Sequence, residues 1–316
     1  MYQGNITDVH GIRVGQKENQ QARTGVTVVL CPRDGALAGV SVRGAAPATR
    51  ETDALKCGGF SPYAHAVVLT GGSAFGLDSA GGVSKCLDQM GIGVEVMGCK
   101  VPLVPAAALF DLNIGSCAVR PDAAMGMAAV MNAQKGMLQG RFGAGCGATV
   151  GKLVPGALPQ DGGIGSASIT LPEGVTVGAV VAVNAMGDVY DHKTGRLIGC
   201  GHLPNGSAIA VENLMFGSAP APQQIRIPAP RSNTTIGVVA VDCKLTREEV
   251  SRLADVSHDG LARTIRPCHT QMDGDTLFAL ATGRLDCEVN FMKLCAAAAE
   301  VTARAIVNAV TAAGHD

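Results

Sequence analysis

The chain has 316 residues, 47% of them hydrophobic, and a formal net charge of −1. That is enough apolar material for one large domain or two small ones. A near-neutral balance removes any electrostatic argument for nucleic acid or an anionic membrane as a partner.

Aromatic residues make up only 3% of the chain, Trp is absent and Gly is abundant at 42 residues. A core poor in aromatics has to be built from Ala, Val, Leu, Ile and Met, which lets helices and sheets approach closely. The eleven cysteines are scattered, odd in number and without a C-x-x-C pair. They read as small buried hydrophobes of a reducing, cytoplasmic protein rather than a disulfide framework or a zinc knuckle. Met1-Tyr2-Gln3-Gly4-Asn5 has no basic start and no apolar run after it, so no signal peptide is expected. No run is expected to span a bilayer either.

In chain order, Val26–Leu30 and Ala38–Val42 read as strands separated by the turn Pro32-Arg33-Asp34-Gly35. A short helix is expected over Glu51–Lys56, a buried strand over Ala66–Thr70, and a helix ending near Met90. Gly93–Met97 is a strand candidate, and Asp122 opens a helix to about Lys135. Ile164–Leu171 and Val175–Val183 form a hairpin around Pro172-Glu173-Gly174, and Asn184 closes its second strand. Ala208–Met215 is a short helix, and the four prolines between Pro220 and Pro230 mark the best linker. A strand follows at Thr235–Val241. Thr246-Arg247-Glu248-Glu249 is a capping box opening a helix, Thr276–Ala281 is a strand, and Val289–Ala312 is the strongest helix. Strands and helices mix throughout, so the class is α/β or α+β.

Arg231-Ser232-Asn233-Thr234-Thr235 joins the proline-rich linker to a core strand. A hydroxyl there is fixed by the strand on one side and free to part from the linker on the other. Attack of Thr234 on the Asn233 carbonyl, followed by hydrolysis of the ester, would leave Thr234 as a new N-terminus. Its free amine, with an unperturbed pKa of roughly 7.7–8.0, can then serve as the general base. A polar turn entering a strand is the plainer reading of these residues alone.

Asp273-Gly274-Asp275 sets two carboxylates at the mouth of a strand, where they push each other's pKa apart unless a cation intervenes. Lys152, at the end of the glycine-dense stretch 140–152, is a candidate cation. Two glycine loops, Gly71–Gly76 and Gly143–Ala148, invite a phosphate or dinucleotide reading, but neither sits in a complete βαβ fingerprint. Cys268-His269 is too little to mark a thiol nucleophile, and the other histidines have no ligand spacing, so no metal and no cofactor are expected.

Taken together, Asn233-Thr234-Thr235-Ile236 and Asp273-Gly274-Asp275-Thr276 resemble the self-cleaving N-terminal-nucleophile hydrolases. That family comprises the β-peptidyl and D-aminopeptidases and the endo-type 6-aminohexanoate (nylon) oligomer hydrolases. The resemblance runs almost end to end, through Asp8–Gly15, Leu69–Leu77, Val101–Ala107 and Gly147–Lys152. It is greater to the oligomer-hydrolase branch, which has a Thr nucleophile and an Asp-Gly-Asp pair.

The resemblance implies a four-layer αββα sandwich, one catalytic domain over 1–316, and self-cleavage between Asn233 and Thr234 into chains 1–233 and 234–316. It further implies Thr234 as nucleophile and Asp273 and Asp275 as its orienting carboxylates. Lys152 would balance their charge, and Asn184 would hold the substrate carbonyl or oxyanion. Phe110 stands in the substrate site where family members often have Tyr. Small peptides or amides are the expected substrates, and a homotetramer of cleaved units the expected assembly. An acyltransferase of the ornithine acetyltransferase type, a nucleotide-dependent enzyme and a non-catalytic scaffold are the alternatives.

Overall fold

Two runs that are apolar at almost every position, Thr176–Asn184 and Thr234–Cys243, are buried along their whole length. A strand with apolar side chains on both faces needs cover on both. The computed structural model describes residues 1–59, 62–154, 156–216 and 233–314, and in it those two strands lie in the middle of a layered fold.

The principal strands are β1 (Arg13–Asn19), β2 (Thr24–Leu30), β3 (Ala36–Val42), β4 (Thr49–Arg50), β5 (Tyr63–Ala64), β6 (Ala66–Thr70), β7 (Ala106–Ala108), β8 (Ile164–Thr170), β9 (Thr176–Asn184), β10 (Thr234–Cys243) and β11 (Thr276–Leu285). They form a five-stranded sheet, order β1-β2-β6-β7-β4, and a six-stranded sheet, order β8-β9-β10-β11-β3-β5. Neighbours are antiparallel except β6 with β7 and β10 with β11. The principal helices are α1 (Ser79–Gln89), α2 (Ala123–Met131), α3 (Arg247–Thr264) and α4 (Phe291–Ala313).

The period of two sorts the central side chains. Val177, Ala179, Val181 and Val183 of β9, with Val239 and Val241 of β10, face Leu253 and Leu261 of α3 and Val301 and Ile306 of α4. The intervening Val180, Ala182, Ile236, Val238 and Ala240 face Val29, Val67, Leu69 and Ala107 of the other sheet. The far side of that sheet, with Val26, Val28 and Val68, packs on Val83 and Leu87 of α1 and Val130 of α2. The result is the αββα sandwich, with about 1.5–3 kcal/mol of transfer free energy for each large aliphatic side chain fully buried. Small residues set the layer spacing. A Cβ on Gly82 would stand 1.9 Å from the Ala123 carbonyl oxygen, and one on Gly126 would stand 2.1 Å from that of Ser79. The two outer helices α1 and α2 therefore touch backbone to backbone.

The hairpin β8–β9 turns at Pro172–Gly174 with Thr170 opposite Thr176, and α3 opens on the full capping box of Thr246 and Glu249, both as read from sequence. Three expectations need correction. The helix over Glu51–Lys56 is only a 3-10 turn, Asp53–Leu55. Glu51 takes a left-handed backbone (φ 58°), and its carboxylate accepts the Val104 amide at 3.0 Å, so the segment serves a neighbour instead of nucleating a helix. The helix from Asp122 stops at Met131, because Gln134 exchanges backbone hydrogen bonds with Val14 of β1. Finally, α4 at 23 residues is long and apolar enough to cross a bilayer. Its apolar positions Leu294, Val301, Ile306 and Val310 are instead buried in the core beside β9 to β11. The proline-rich linker 220–230, with Arg231 and Ser232, lies outside the described residues.

Candidate active site

The register of the six-stranded sheet brings the singled-out residues to one edge. Thr234 opens β10 directly opposite Asn184, the last residue of β9. Thr276 opens β11 two residues further along, beside Ile236. Asn233 bridges Asp273 in parallel, so the turn Asp273-Gly274-Asp275 runs alongside the Asn233–Thr234 bond. All of these residues are buried.

The Thr234 hydroxyl lies against the carbonyl oxygen of Asn233 in a short hydrogen-bonding contact. The Gly274 amide donates to the same oxygen at 3.0 Å. Gly274 fits for a steric reason: a Cβ there would sit 2.9 Å from the Thr234 hydroxyl oxygen and 2.8 Å from the Ala46 carbonyl oxygen. Within the uncut chain, the peptide bond before Thr234 thus has a hydroxyl beside it and an N–H on its oxygen. Neither polar atom of the Asn233 side chain has a partner among the described residues, although the residue is buried.

The two carboxylates are held differently. Asp275 takes the Thr235 amide on Oδ1 at 2.7 Å. Its Oδ2 takes both the His269 amide at 3.0 Å and the His269 ring Nδ1 at 2.8 Å. Asp273 accepts the Thr270 amide at 2.8 Å. Burial, and next the charge of Asp275, push the Asp273 carboxyl up to about 6, against the pull of Lys152. Burial works against a charge on His269 as well, but its ring hydrogen bond to Asp275, with the charge of that carboxylate, outweighs it and raises its pKa to about 10.

Lys152 donates to the Asn184 side-chain oxygen at 2.7 Å and to its carbonyl at 3.1 Å. The residue keeps some surface, but its ammonium end lies within protein, and this burial pushes its pKa down to about 7 despite the charges of Asp273 and Asp111. Asn184 is fixed from the other side, donating to the Phe110 carbonyl at 2.9 Å and accepting the Thr149 amide at 3.0 Å. Phe110 and Thr234 meet in a cleft of about 230 Å³. Among the described residues the rest of its wall is Ala46, Pro47, Ala48, Thr49, Ser73, Ala74, Leu77 and Ala108, with no charged side chain. The structure therefore brings together Thr234, Asn233, Asp273, Asp275, Lys152, Asn184 and Phe110.

The two glycine loops are not open anion cradles. The Gly72 amide is taken by Asp111 at 2.8 Å and the Ser73 amide by the Leu109 carbonyl at 2.8 Å. In the other loop, Glu18 takes the Gly143 amide at 2.9 Å and Thr27 the Ala144 amide at 3.1 Å. A phosphate needs such donors unoccupied.

Two residues beside the site were not legible in the sequence. Asp111 lies buried behind Lys152, and burial raises its pKa against the hydrogen bond from Gly72. His269 was visible only as half of a Cys-His pair. Its position six residues before Asp275 was a signal, but the turn that brings the two together was not.

The family model for peptidase family S58 matches residues 4–315. An uncharacterized aminopeptidase of Mycobacterium leprae is 40% identical over 98% of this chain and 90% of its own length. A 6-aminohexanoate-oligomer endohydrolase of Kocuria sp. is 32% identical over 88% of this chain and 75% of its own. Among solved structures, the beta-aminopeptidase of Burkholderia sp. superposes with a TM-score of 0.66 at 24% identity, covering 98% of this chain and 86% of that one. The L-aminopeptidase D-Ala-esterase/amidase of Ochrobactrum anthropi, an N-terminal-nucleophile hydrolase fold, gives 0.68 at 22% identity with the same coverage, and both likenesses bear on the fold. The chain belongs to peptidase family S58 and is a hydrolase of amide or peptide bonds.

Proposed function

We propose that this chain is a self-processing N-terminal threonine amidohydrolase that cleaves small peptides, amino-acid amides or short oligoamides. The observation that carries the reading is the double contact on one oxygen: the Thr234 hydroxyl and the Gly274 N–H both meet the Asn233 carbonyl. An N–H aimed where negative charge develops is the arrangement that stabilises a tetrahedral intermediate most effectively.

The sequence of steps is as follows. The Thr234 hydroxyl oxygen adds to the Asn233 carbonyl carbon, the C–N bond breaks, and the hydroxyl proton passes to the departing nitrogen, which leaves Thr234 with a free amine and an ester on its own oxygen. Water hydrolyses that ester, giving chains 1–233 and 234–316 and a free Thr234 amine. The amine then accepts the hydroxyl proton when Thr234 attacks a substrate amide. The proton passes to the substrate's departing amine as the acyl-enzyme forms; water then hydrolyses that ester, releasing the acid and restoring the Thr234 hydroxyl. Asn184 stands opposite Thr234 on β9, and Lys152 is hydrogen-bonded to it at 2.7 Å. In this reading the freed Asn184 amide group turns from Phe110 to the substrate carbonyl, and Lys152 offsets the charge of Asp273. Assembly as a homotetramer and a cytosolic setting belong to the same reading and rest on composition and family resemblance.

Intact mass under denaturing conditions, beside a Thr234→Ala variant, tests the proposal. Two fragments meeting at Asn233/Thr234 in the wild type and one full-length chain in the variant are expected. An uncut Thr234→Ala protein that still hydrolyses amides would remove Thr234 from the chemistry.

A further inference from the structure

Asp275 makes no hydrogen bond to the Thr234 hydroxyl among the described residues; it grips the next residue along. Its Oδ1 is on the Thr235 amide at 2.7 Å, and its Oδ2 is occupied by two donors from a single residue, the amide and the ring Nδ1 of His269. The carboxylate is therefore a strut between the first residues of β10 and the loop before β11. We infer that His269 is a positioning residue for Thr234, setting the orientation of Asp275 and, through the Thr235 amide, the place of the nucleophile. This inference rests on the reading of Thr234 as nucleophile.

Three observations support it. First, His269 adopts a left-handed backbone with φ 56°, a conformation that costs a non-glycine residue and persists where the surroundings enforce it. That conformation accompanies the convergence of its amide and its ring on one oxygen. Second, the ring is itself buttressed. His258 of α3 meets it edge-on with centroids 4.8 Å apart, and His258 is anchored by its Nε2 to the Ser41 carbonyl at 3.0 Å. Behind His258, Arg43 is paired with Asp255. Third, the charges need it. Asp275 is 2% exposed and stands two residues from buried Asp273. Two close carboxylates cannot both stay ionised without a cation, and His269 supplies one in direct contact. Lys152 acts on the Asp273 side, where its charge lowers that carboxyl's pKa.

The groups facing His269 are Asp275, Cys268 and His258, with Arg43 acting on His258. Burial, and next the charge of His269, hold His258 neutral, its pKa lowered to about 4 against the hydrogen bond it donates to the Ser41 carbonyl. The second histidine thus packs against the first without adding charge.

The test compares His269→Ala and His269→Asn in the full-length protein. Asparagine places an amide donor near the Nδ1 position and tolerates a left-handed backbone. Self-cleavage rate, kcat and KM on a small amide, and the NMR signal of the 15N-labelled Thr235 amide are read together. His269→Ala is expected to slow self-cleavage and lower kcat roughly 10- to 100-fold with KM little changed, and to move the Thr235 signal. His269→Asn is expected to recover most of the lost rate. Unchanged rates in a folded His269→Ala protein, a rate loss with the Thr235 signal in place, or no recovery in His269→Asn would each overturn the strut. His269→Gln, whose donor falls beyond the Nδ1 position, supplies the same comparison if the alanine variant does not fold. Recording the Thr235 signal with and without His269 in a Thr234→Ala background keeps the two ideas apart. If Thr234→Ala still hydrolyses amides the nucleophile assignment fails, while the Thr235 signal still decides whether His269 acts through Asp275.

Discussion

The Gly274 amide donates to the Asn233 carbonyl oxygen at 3.0 Å, and a Cβ on the same glycine would stand 2.9 Å from the Thr234 hydroxyl oxygen. One residue therefore supplies a hydrogen bond to the bond expected to break and leaves room for the group expected to break it. The Asp-Gly-Asp turn needs its glycine for access, since Gly274 is not among the residues with a left-handed backbone.

Gly274→Ala separates these effects. The added methyl suits the backbone but must displace the Thr234 hydroxyl or the Ala46 carbonyl. Self-cleavage is expected to slow by about 100-fold, the scale on which roughly 1 Å of misplacement acts. The time course of full-length chain on a denaturing gel checks this; wild-type kinetics would mean that the contact is not catalytic.

Lys152 gives a prediction with a sign. Its pKa in the folded chain is lowered to about 7, while an unfolded lysine titrates near about 10.4. Between those values the unfolded chain binds the extra proton, so this residue's contribution to stability rises with pH and is lost as pH falls toward 7. His269, raised to about 10, contributes in the opposite direction as pH climbs through that value, so the comparison has to be variant against wild type. Lys152→Met should gain on wild type by about 2 kcal/mol near pH 7 relative to pH 9, measured by urea melts. The same variant should lose most self-cleavage, because the charge beside Asp273 is gone.

Phe110 lines the cleft with Thr234, and its carbonyl holds the Asn184 side chain. Phe110→Tyr leaves that carbonyl in place and adds a hydroxyl toward the cleft. A several-fold faster self-cleavage is expected, with stability within about 0.5 kcal/mol of wild type. Maturation rate and thermal melts check it; an unchanged rate would show that the hydroxyl does not reach the reacting group.

Among the described residues the cleft wall carries no charged side chain, and half of it is Ala and Pro. An ionised acyl side chain bound there would be desolvated without a partner, at a cost of several kcal/mol. Acyl groups without an ionised side chain, such as alanyl or β-alanyl amides, should exceed glutamyl or lysyl ones by at least about tenfold in kcat/KM, read with a chromogenic amide panel. Equal turnover across the panel would place the acyl group elsewhere.

The sequence by itself determined the strands, the long helices and the setting of Thr234 at the head of a core strand. Continuous apolar runs such as Val175–Val183 and Thr235–Val241 have one low-energy fate, a strand buried on both faces, and the capping box at Thr246 is a local signal answered locally. Asn233-Thr234 and Asp273-Gly274-Asp275 were legible because their residue types and their order along the chain are informative without any contact. Only the tertiary structure decided what those residues touch. Which oxygen of Asp275 meets Thr235 and which meets His269, and which carbonyl Gly274 approaches, depend on the parallel register of β10 with β11. Register is set by contacts between segments about forty residues apart. His269 and Asp111 stayed hidden for the same reason: a histidine or an aspartate beside a turn is ordinary in sequence, and becomes informative only when the fold buries it against a charge.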